Sequence, residues 1–273
     1  MSEKVAFVTG ASSGIGQAAA IELKKQGFTV YAGARRTERM EVLRVQGIKV
    51  LSLDVTDDAS VSAAVALIEQ DAGRLDVLVN NAGYGSYGSV EEVPLEEGRR
   101  QFDVNVFGVM RLTQLVIPLM RRQGAGRIIN VTSMGGKIAT PFGAWYHGTK
   151  FALEGMSDAL RVELKPFGID VVVIEPGAIK TEWGGIAADH LLETSGQGVY
   201  ATAARKFAAT LTSGMAHTRA SDPSVIAAPI LAAATARRPK ARYVAGFGAR
   251  PILVLRRILP DRAFDAVVVR GLG

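Results

Sequence analysis

Three residues able to move or steady a proton stand close together in the middle of the chain. Tyr146 and Lys150 are four residues apart, so on a helix they lie one turn above each other on one face. A phenol beside a fixed ammonium ionises more readily, because an opposite charge a few ångströms away favours the phenolate. Its ordinary pKa of about 10 then moves toward the range where it trades protons near neutral pH. Ser133 follows the apolar run Arg127-Ile-Ile-Asn-Val-Thr132, which reads as a buried strand. Its hydroxyl therefore arrives at a strand's carboxyl end, opposite the helix that carries Tyr146. Taken alone, Tyr-x-x-x-Lys is equally the pattern of a solvated helix face, and its meaning depends on the elements around it.

Those elements alternate from the first residues. Runs at 5–9, 29–33, 48–53, 76–80, 127–132 and 169–174 are apolar and near-continuous, and helical spacing fills 14–26, 57–72, 98–122 and 146–165. Asp57 is a good N-cap, and Pro166 stops the helix that starts near Tyr146. Such an alternation predicts an α/β fold, a doubly wound parallel sheet with helices on both faces, in a single domain over 1–273. Within it, about 1–130 forms one half and 131–181 carries the Ser133–Lys150 region. After Pro176-Gly177 a small insertion, about 182–221, shows weak helical periodicity (Leu191, Leu192, Tyr200, Phe207, Leu211). It falls where loops gather over the crevice at the strands' carboxyl ends, as expected of a substrate lobe. In 222–273, Ser221-Asp222-Pro223 reads as a cap with proline at the first helical position of a helix to about 236, and 242–246 as a last strand.

Composition narrows the classes. The chain has 273 residues, 48% of them hydrophobic, no cysteine and a formal net charge of +6. Thiolate metal sites, disulfides and thiol nucleophiles are thereby excluded. His190 and His217 are too isolated to suggest a metal, and no metal is expected. The start lacks the long apolar core of a signal peptide and no uninterrupted apolar run spans a bilayer, so a cytoplasmic protein is expected. Much of the positive charge lies late, in Arg237-Arg238-Pro-Lys240, Arg242, Arg250, Arg256-Arg257 and Arg262. Aromatics do not interleave with these arginines as base-stacking platforms would, so no nucleic-acid partner is expected. The arginine-flanked segment 250–259 suits either a membrane surface or burial against a partner subunit.

Thr9-Gly10-Ala-Ser12-Ser13-Gly14-Ile15-Gly16 lies between the first strand and the first helix. Glycines there allow a tight turn and a close approach of backbone to a pyrophosphate, which then rests on the helix N-terminus. The second strand ends in Tyr31-Ala-Gly-Ala34-Arg35-Arg36, with two guanidinium groups and no acid. A free ribose 2′-hydroxyl calls for an acid at that point and a 2′-phosphate for arginine, so NADP(H) is the expected cofactor and Arg35 its expected grip. Asp54-Val55 either meets the adenine or, through Asp54, caps the next turn.

Thr9-Gly10-x-x-x-Gly14-x-Gly16, Asn80-Asn81-Ala82-Gly83, Ser133, Tyr146-x-x-x-Lys150 and Pro176-Gly177-x-x-x-Thr181 occur in that order. Together they resemble a short-chain dehydrogenase/reductase, with its Rossmann-type sheet, over residues 4 to about 181. The Gly-Ala-Arg-Arg turn and the Pro-Gly-Ala-Ile-Lys-Thr segment are similar to those of NADP-dependent steroid and retinol dehydrogenases. The resemblance implies that Tyr146 is the general acid/base, that Lys150 lowers its pKa and bonds the nicotinamide ribose, and that Ser133 holds the substrate oxygen. Asn105 would complete a tetrad through a helix distortion; the alternative is a helix-kink asparagine without chemistry. Asn81, Ala82 and Gly83 would line the cofactor, Asn81 chiefly as structure, and Pro176, Gly177, Ile179 and Thr181 would meet its carboxamide end. Substrate contacts are expected from Met134, Thr140, Trp145 and Trp183, a lining suited to an apolar ketone or secondary alcohol of steroid-, retinoid- or acyl-like type. A homodimer or homotetramer is implied through the helices near 99–122 and 146–165. The rival reading is a non-catalytic NADP(H)-binding or sensing protein on the same fold.

Overall fold

Side chains fill both faces of the central strands, which is why these strands read as unbroken apolar runs rather than alternating ones. The computed structural model describes residues 3–271. Among them, strands β1 (Val5–Thr9), β2 (Thr29–Ala34), β3 (Lys49–Ser52), β4 (Val77–Asn80), β5 (Gly126–Val131), β6 (Ile169–Pro176) and β7 (Arg242–Ala245) pair in parallel in the order β3-β2-β1-β4-β5-β6-β7. The helices are α1 (Gly14–Lys25), α2 (Glu41–Arg44), α3 (Asp58–Ala72), α4 (Leu95–Phe102), α5 (Gly108–Gln123), α6 (Ala144–Leu164), α7 (Trp183–Ser195), α8 (Ala201–Thr212), α9 (Met215–Thr218), α10 (Ser224–Thr235), α11 (Ala249–Ile258) and α12 (Asp261–Gly271). On one face of the sheet Ala6, Val8, Val79 and Ile129 meet Ala19, Ala20 and Leu23 of α1 and Ile226 and Ile230 of α10. On the other, Phe7, Leu78 and Ile128 meet Val61 and Ile68 of α3 and Leu112, Val116 and Leu119 of α5. The expected doubly wound sheet is therefore present, and the chain changes winding direction between β1 and β4.

The alternation located the elements, and the structure changes four details. The helix expected over 98–122 begins at Leu95 and runs through a π-helical turn, Asp103–Phe107, between α4 and α5. By length and composition this segment, Leu95–Gln123, would reach across a bilayer, but here Leu112, Val116, Leu119 and Met120 are buried in the fold. The insertion is helical throughout most of its length. Its periodicity is weak because four of the seven buried positions of α7 and α8 are alanines (Ala187, Ala188, Ala204, Ala208), which add little amphipathic contrast. α10 begins at Ser224, so Pro223 is its N-cap rather than its first helical residue, and Asp222 Oδ1 accepts from Ser224 N at 2.9 Å and Ser224 Oγ at 2.6 Å. The basic tail, expected only as an interfacial segment, forms α11 and α12, with Phe264 buried and Val254, Ile258 and Val269 exposed.

At the winding switch, buried Thr9 ties β1 to the end of β4. Its Oγ1 accepts from Asn81 N and Ala82 N, both at 3.0 Å, and donates to Val79 O at 3.3 Å. Thr9→Val keeps the shape and removes the acceptor, leaving two backbone amides without their partner. Each such amide costs about 1–3 kcal/mol, so urea denaturation at pH 7 is expected to show a loss of that order with the m-value unchanged.

Candidate active site

The glycine-rich turn owes its shape to contacts that admit no side chain. Gly10 has φ +65°, and a Cβ there would lie 2.8 Å from Ala82 Cα; at Gly16 it would lie 2.4 Å from Gly10 O. Asn81 closes the turn from β4, its Nδ2 donating to Thr9 O at 3.0 Å and Gly10 O at 3.3 Å, which is the structural role expected of it. Thr181 reaches the same turn: a Cβ on Gly14 would stand 2.9 Å from its Cγ2. Residues 178–179 are held by bridges from Ala178 to Phe247 and from Ile179 to Ser221. Of the expected cofactor contacts in this segment, Thr181 borders the crevice beside residues 10–16, while Gly177 packs against Phe247 and Ala249.

Arg35 and Arg36 stand exposed at the end of β2, beside Ser12, whose Oγ is 3.5 Å from Arg36 Nη2. Sequence reasoning missed a third cation, Arg39, in the short turn after them. Glu182, at the entry to α7, spans two of the three, 3.6 Å from Arg36 and 2.8 Å from Arg39. Asp54 takes the turn-capping alternative: its Oδ1 accepts from Thr56 N at 2.9 Å and Thr56 Oγ1 at 2.7 Å. Burial works against its charge, but the Thr56 bonds and Arg35 outweigh it and hold the carboxyl below its usual range. Val55 packs under the first turn of α5, where a Cβ on Gly108 would be 2.6 Å from its carbonyl oxygen.

Ser133, Tyr146 and Lys150 converge. The Ser133 hydroxyl accepts from Gly135 N at 2.9 Å and meets the Tyr146 hydroxyl. Lys150 Nζ donates to Val131 O at 3.1 Å, which points the ammonium at the end of β5. Burial dominates both α6 groups. It pushes the Tyr146 phenol up to about 12, against the Ser133 hydrogen bond, and pulls Lys150 down to about 8, against the charge of Glu154. The expectation that Lys150 sets a lowered phenol pKa is not met in the free protein: desolvation is the larger effect and Ser133 is the group that opposes it. Asn105 lies in the π-helical turn, as expected. Its Oδ1 accepts from Tyr84 N at 3.0 Å, and its Nδ2 donates to Tyr84 O at 2.8 Å and Thr149 Oγ1 at 3.1 Å. A Cβ on Gly83 would be 3.0 Å from Asn105 Oδ1 and 3.8 Å from Lys150 Nζ, so residues 83, 105 and 150 share one corner of the crevice.

Over the phenol sits an aromatic wall that sequence reasoning found only in part. Trp183 lies 5.1 Å from the Tyr146 ring, as expected of a substrate contact. Buried Tyr87, which carried no signal in a stretch alternating with glycines, is 5.8 Å from Tyr146, 5.7 Å from Trp183 and stacked 5.9 Å from Phe207 of α8. Met134 is half-buried in the turn after Ser133, and Thr140 is half-buried with its amide bonded to His147. Trp145 corrects the reading. Adjacent helix positions point about 100° apart, so it turns away from the crevice to α4, edge-on to Phe102 at 6.4 Å and against Gly98.

The family model for short chain dehydrogenases matches residues 4–190. The chain belongs to that family. It is 36% identical over 266 residues, 96% of each chain, to VdlC of Helicobacter pylori, a "probable short-chain type dehydrogenase/reductase". It is 40% identical over 181 residues, 66% of each chain, to the 3-ketodihydrosphingosine reductase of Bacteroides thetaiotaomicron. Among solved structures, an actinorhodin polyketide ketoreductase with NADPH superposes with a TM-score of 0.75 at 31% identity, covering 89% of this chain and 97% of that one.

In this short-chain dehydrogenase His147 braces the loop that carries Ser133. Its ring spans Gly135 O at 2.9 Å and Thr140 N at 3.0 Å, so Nε2 accepts and Nδ1 donates, and the ring is neutral. Burial lowers its pKa, against the Gly135 bond. The neutral ring's stabilisation is complete above the unfolded value near 6.5 and is lost as pH falls toward the folded one. Glu175, pushed up to about 7 chiefly by burial, titrates in the opposite sense: its stabilisation is complete near pH 4.5 and is lost as pH rises. The measurement is therefore a difference. The stability advantage of the native chain over His147→Gln is expected to shrink between pH 7 and 5 in denaturant titrations, and an advantage independent of pH overturns the neutral-ring assignment.

Proposed function

We propose that this short-chain dehydrogenase is an NADP(H)-dependent oxidoreductase acting on an apolar ketone or secondary alcohol, with Tyr146 as acid and base. The observation that supports it most is the buried Tyr146 phenol beside Ser133, one helical turn from Lys150 and walled by Tyr87 and Trp183 at 5.8 and 5.1 Å. The residues fit a dinucleotide. The turn carries no side chain at Gly10, Gly14 and Gly16, so a phosphate can approach its backbone and the start of α1, and Arg35, Arg36 and Arg39 offer an anion three exposed guanidinium groups. NADPH in the ketoreductase structure supports the same reading.

When bound, the dinucleotide supplies or takes the hydride. Around that step the chain's own groups do the rest. Ser133 donates a hydrogen bond to the carbonyl oxygen, steadying negative charge as it builds there. Tyr146, protonated at neutral pH, gives its phenolic proton to that oxygen in reduction and takes it back in oxidation. Lys150 presents positive charge to the crevice beside Asn105 and Gly83. Tyr87, Trp183 and Phe207 exclude water and receive the apolar body of the substrate. Placement of a reacting pair is worth about 7–11 kcal/mol and proton transfer about 10²–10⁴-fold, so positioning is the larger contribution.

The substrate range spans steroid-, retinoid- and acyl-like carbonyls; the 3-ketodihydrosphingosine reductase supports a long-chain keto lipid as the first to assay. For a homo-oligomer, Phe107 in the π-helical turn and Phe151 and Met156 on α6 remain outward, whereas Leu112, Leu153 and Leu164 are buried within the chain.

Tyr146→Phe is expected to lower kcat for ketone reduction by 10²-fold or more, while NADPH affinity by fluorescence titration stays within a few fold. A protein that binds NADPH but leaves its absorbance unchanged against the whole ketone panel would instead be the non-catalytic binder. Arg35→Ala or Arg36→Ala should weaken NADPH about ten-fold and NADH little, since a charge-assisted contact is worth about 1.5–3 kcal/mol. An unchanged NADPH/NADH preference refutes the phosphate grip.

A further inference from the structure

Behind the crevice lies a set of ionised side chains that the reaction above does not use. Glu154 follows Lys150 by one turn on the same face of α6 and is 2% exposed. Its Oε1 accepts from Thr132 Oγ1 at 2.6 Å, and its Oε2 lies 2.8 Å from Lys137 Nζ and 3.0 Å from Arg242 Nη2. Glu175, 3% exposed on β6, brings a second carboxyl against the first, its Oε1 3.5 Å from Arg242 Nε. Asp158, one turn further along α6, holds Arg242 from the other side at 2.7 Å.

Each member stands next to a residue of the site. Thr132 precedes Ser133, Lys137 follows the turn that begins at Met134, Glu154 is a turn from Lys150, and Glu175 precedes Pro176-Gly177. Gly136 permits the approach of the Ser133 loop: a Cβ there would be 2.9 Å from Glu154 Cγ and 3.0 Å from Lys150 O. Well-packed apolar residues commonly match or exceed a buried ion pair in stability, so packing alone gives no reason for two acids here. Electrostatics does. Burial drags Lys150 toward neutrality and the charge of Glu154 opposes it. Burial, and after it the charge of Glu154, push Glu175 up to about 7.

We infer that Glu154 is a positioning residue for the reaction: its buried carboxylate, one turn from Lys150 and fixed in place by Thr132, Lys137 and Arg242, is the counter-charge to the Lys150 ammonium behind Tyr146. The inference deepens the proposed function and rests on it for its effect on turnover, but not for its effect on Lys150 itself. The charge that bears on Lys150 is that of Glu154 on α6; Lys137 on the Ser133 loop, Glu175 on β6, Arg242 on β7 and, through Arg242, Asp158 bear on Glu154.

Lysine labelled with 13C at Cε, with the resonance assigned by Lys150→Arg, reads the charge on Lys150 by NMR without any turnover. In Glu154→Gln its titration midpoint is expected to fall by about one unit, the scale of a close opposite charge. The alkaline limb of kcat/KM should fall with it, and Glu154→Asp, which keeps the charge, should restore both. Lys137→Met is half-exposed and serves if Glu154→Gln does not fold; removing that cation should raise the midpoint. A midpoint unmoved in Glu154→Gln, or unmoved or lowered in Lys137→Met, overturns the inference. If the NMR midpoint falls while the kcat/KM profile stays in place, Glu154 does set the charge of Lys150, and the acid/base reading of Tyr146 and Lys150 is what fails.

Discussion

Lys150 and Tyr146 are each 7% exposed, and desolvation drives both toward their neutral forms, the amine downward and the phenol upward. Under the proposed acid/base role of Tyr146, a phenol that stays protonated is the right starting form to give its proton to a carbonyl. Under the same proposal, an amine that loses its charge is the wrong form to stabilise the phenolate left behind. The two requirements conflict at one place in the fold, and much of the surrounding chemistry answers that conflict. Ser133 opposes the desolvation of the phenol, Val131 O and Asn105 border the corner that holds the ammonium, and Glu154 stands one turn behind it.

The sheet makes that corner possible by bringing strand ends together. Thr9 and Asn81 lock the glycine turn of β1 to the end of β4, and buried Asn80 continues the polar seam. Its Nδ2 donates to Asn130 Oδ1 on β5 at 2.9 Å, and Asn130 donates in turn to Ser157 Oγ on α6 at 2.9 Å. Each buried amide finds a partner on the next element, so the seam fixes the depth at which α6 sits against β5. Since Tyr146 and Lys150 occupy the amino-terminal part of that helix, their height above the strand ends follows from bonds made by side chains without any chemical duty.

What could be read from the chain was what local rules determine. The glycine turn, the strand runs, the Asp57 cap and the Tyr146–Lys150 spacing depend on neighbours within a few residues, and the structure has them as read: Asp57 Oδ1 accepts from Ala59 N at 3.1 Å. The π-helical turn at Asn105 was legible only through the family pattern. Trp145 was misplaced although the helical angle was available, since a residue next to Tyr146 cannot face the same crevice. Tyr87, Arg39 and the Glu154–Glu175 pair had no local signature. Glu154 and Glu175 sit on α6 and β6, and only the crossing of helix and sheet makes them neighbours.

The cations of this protein divide by where they stand, and the magnitudes explain the division. Arg36 and Arg39 are paired with Glu182 at the surface, with side chains 45% and 44% exposed against 51% for the carboxylate. Exposed pairs of that kind are worth about 0–1 kcal/mol, so another anion can displace Glu182 at little cost. The inner cations are different. Removing one partner from a buried pair costs about 3–5 kcal/mol because the other charge is left stranded. Arg242 and Glu154 are therefore held in one arrangement, while the outer arginines can exchange partners. A site that must bind and release a charged cofactor, yet keep one proton inventory throughout, needs that difference between its mouth and its floor.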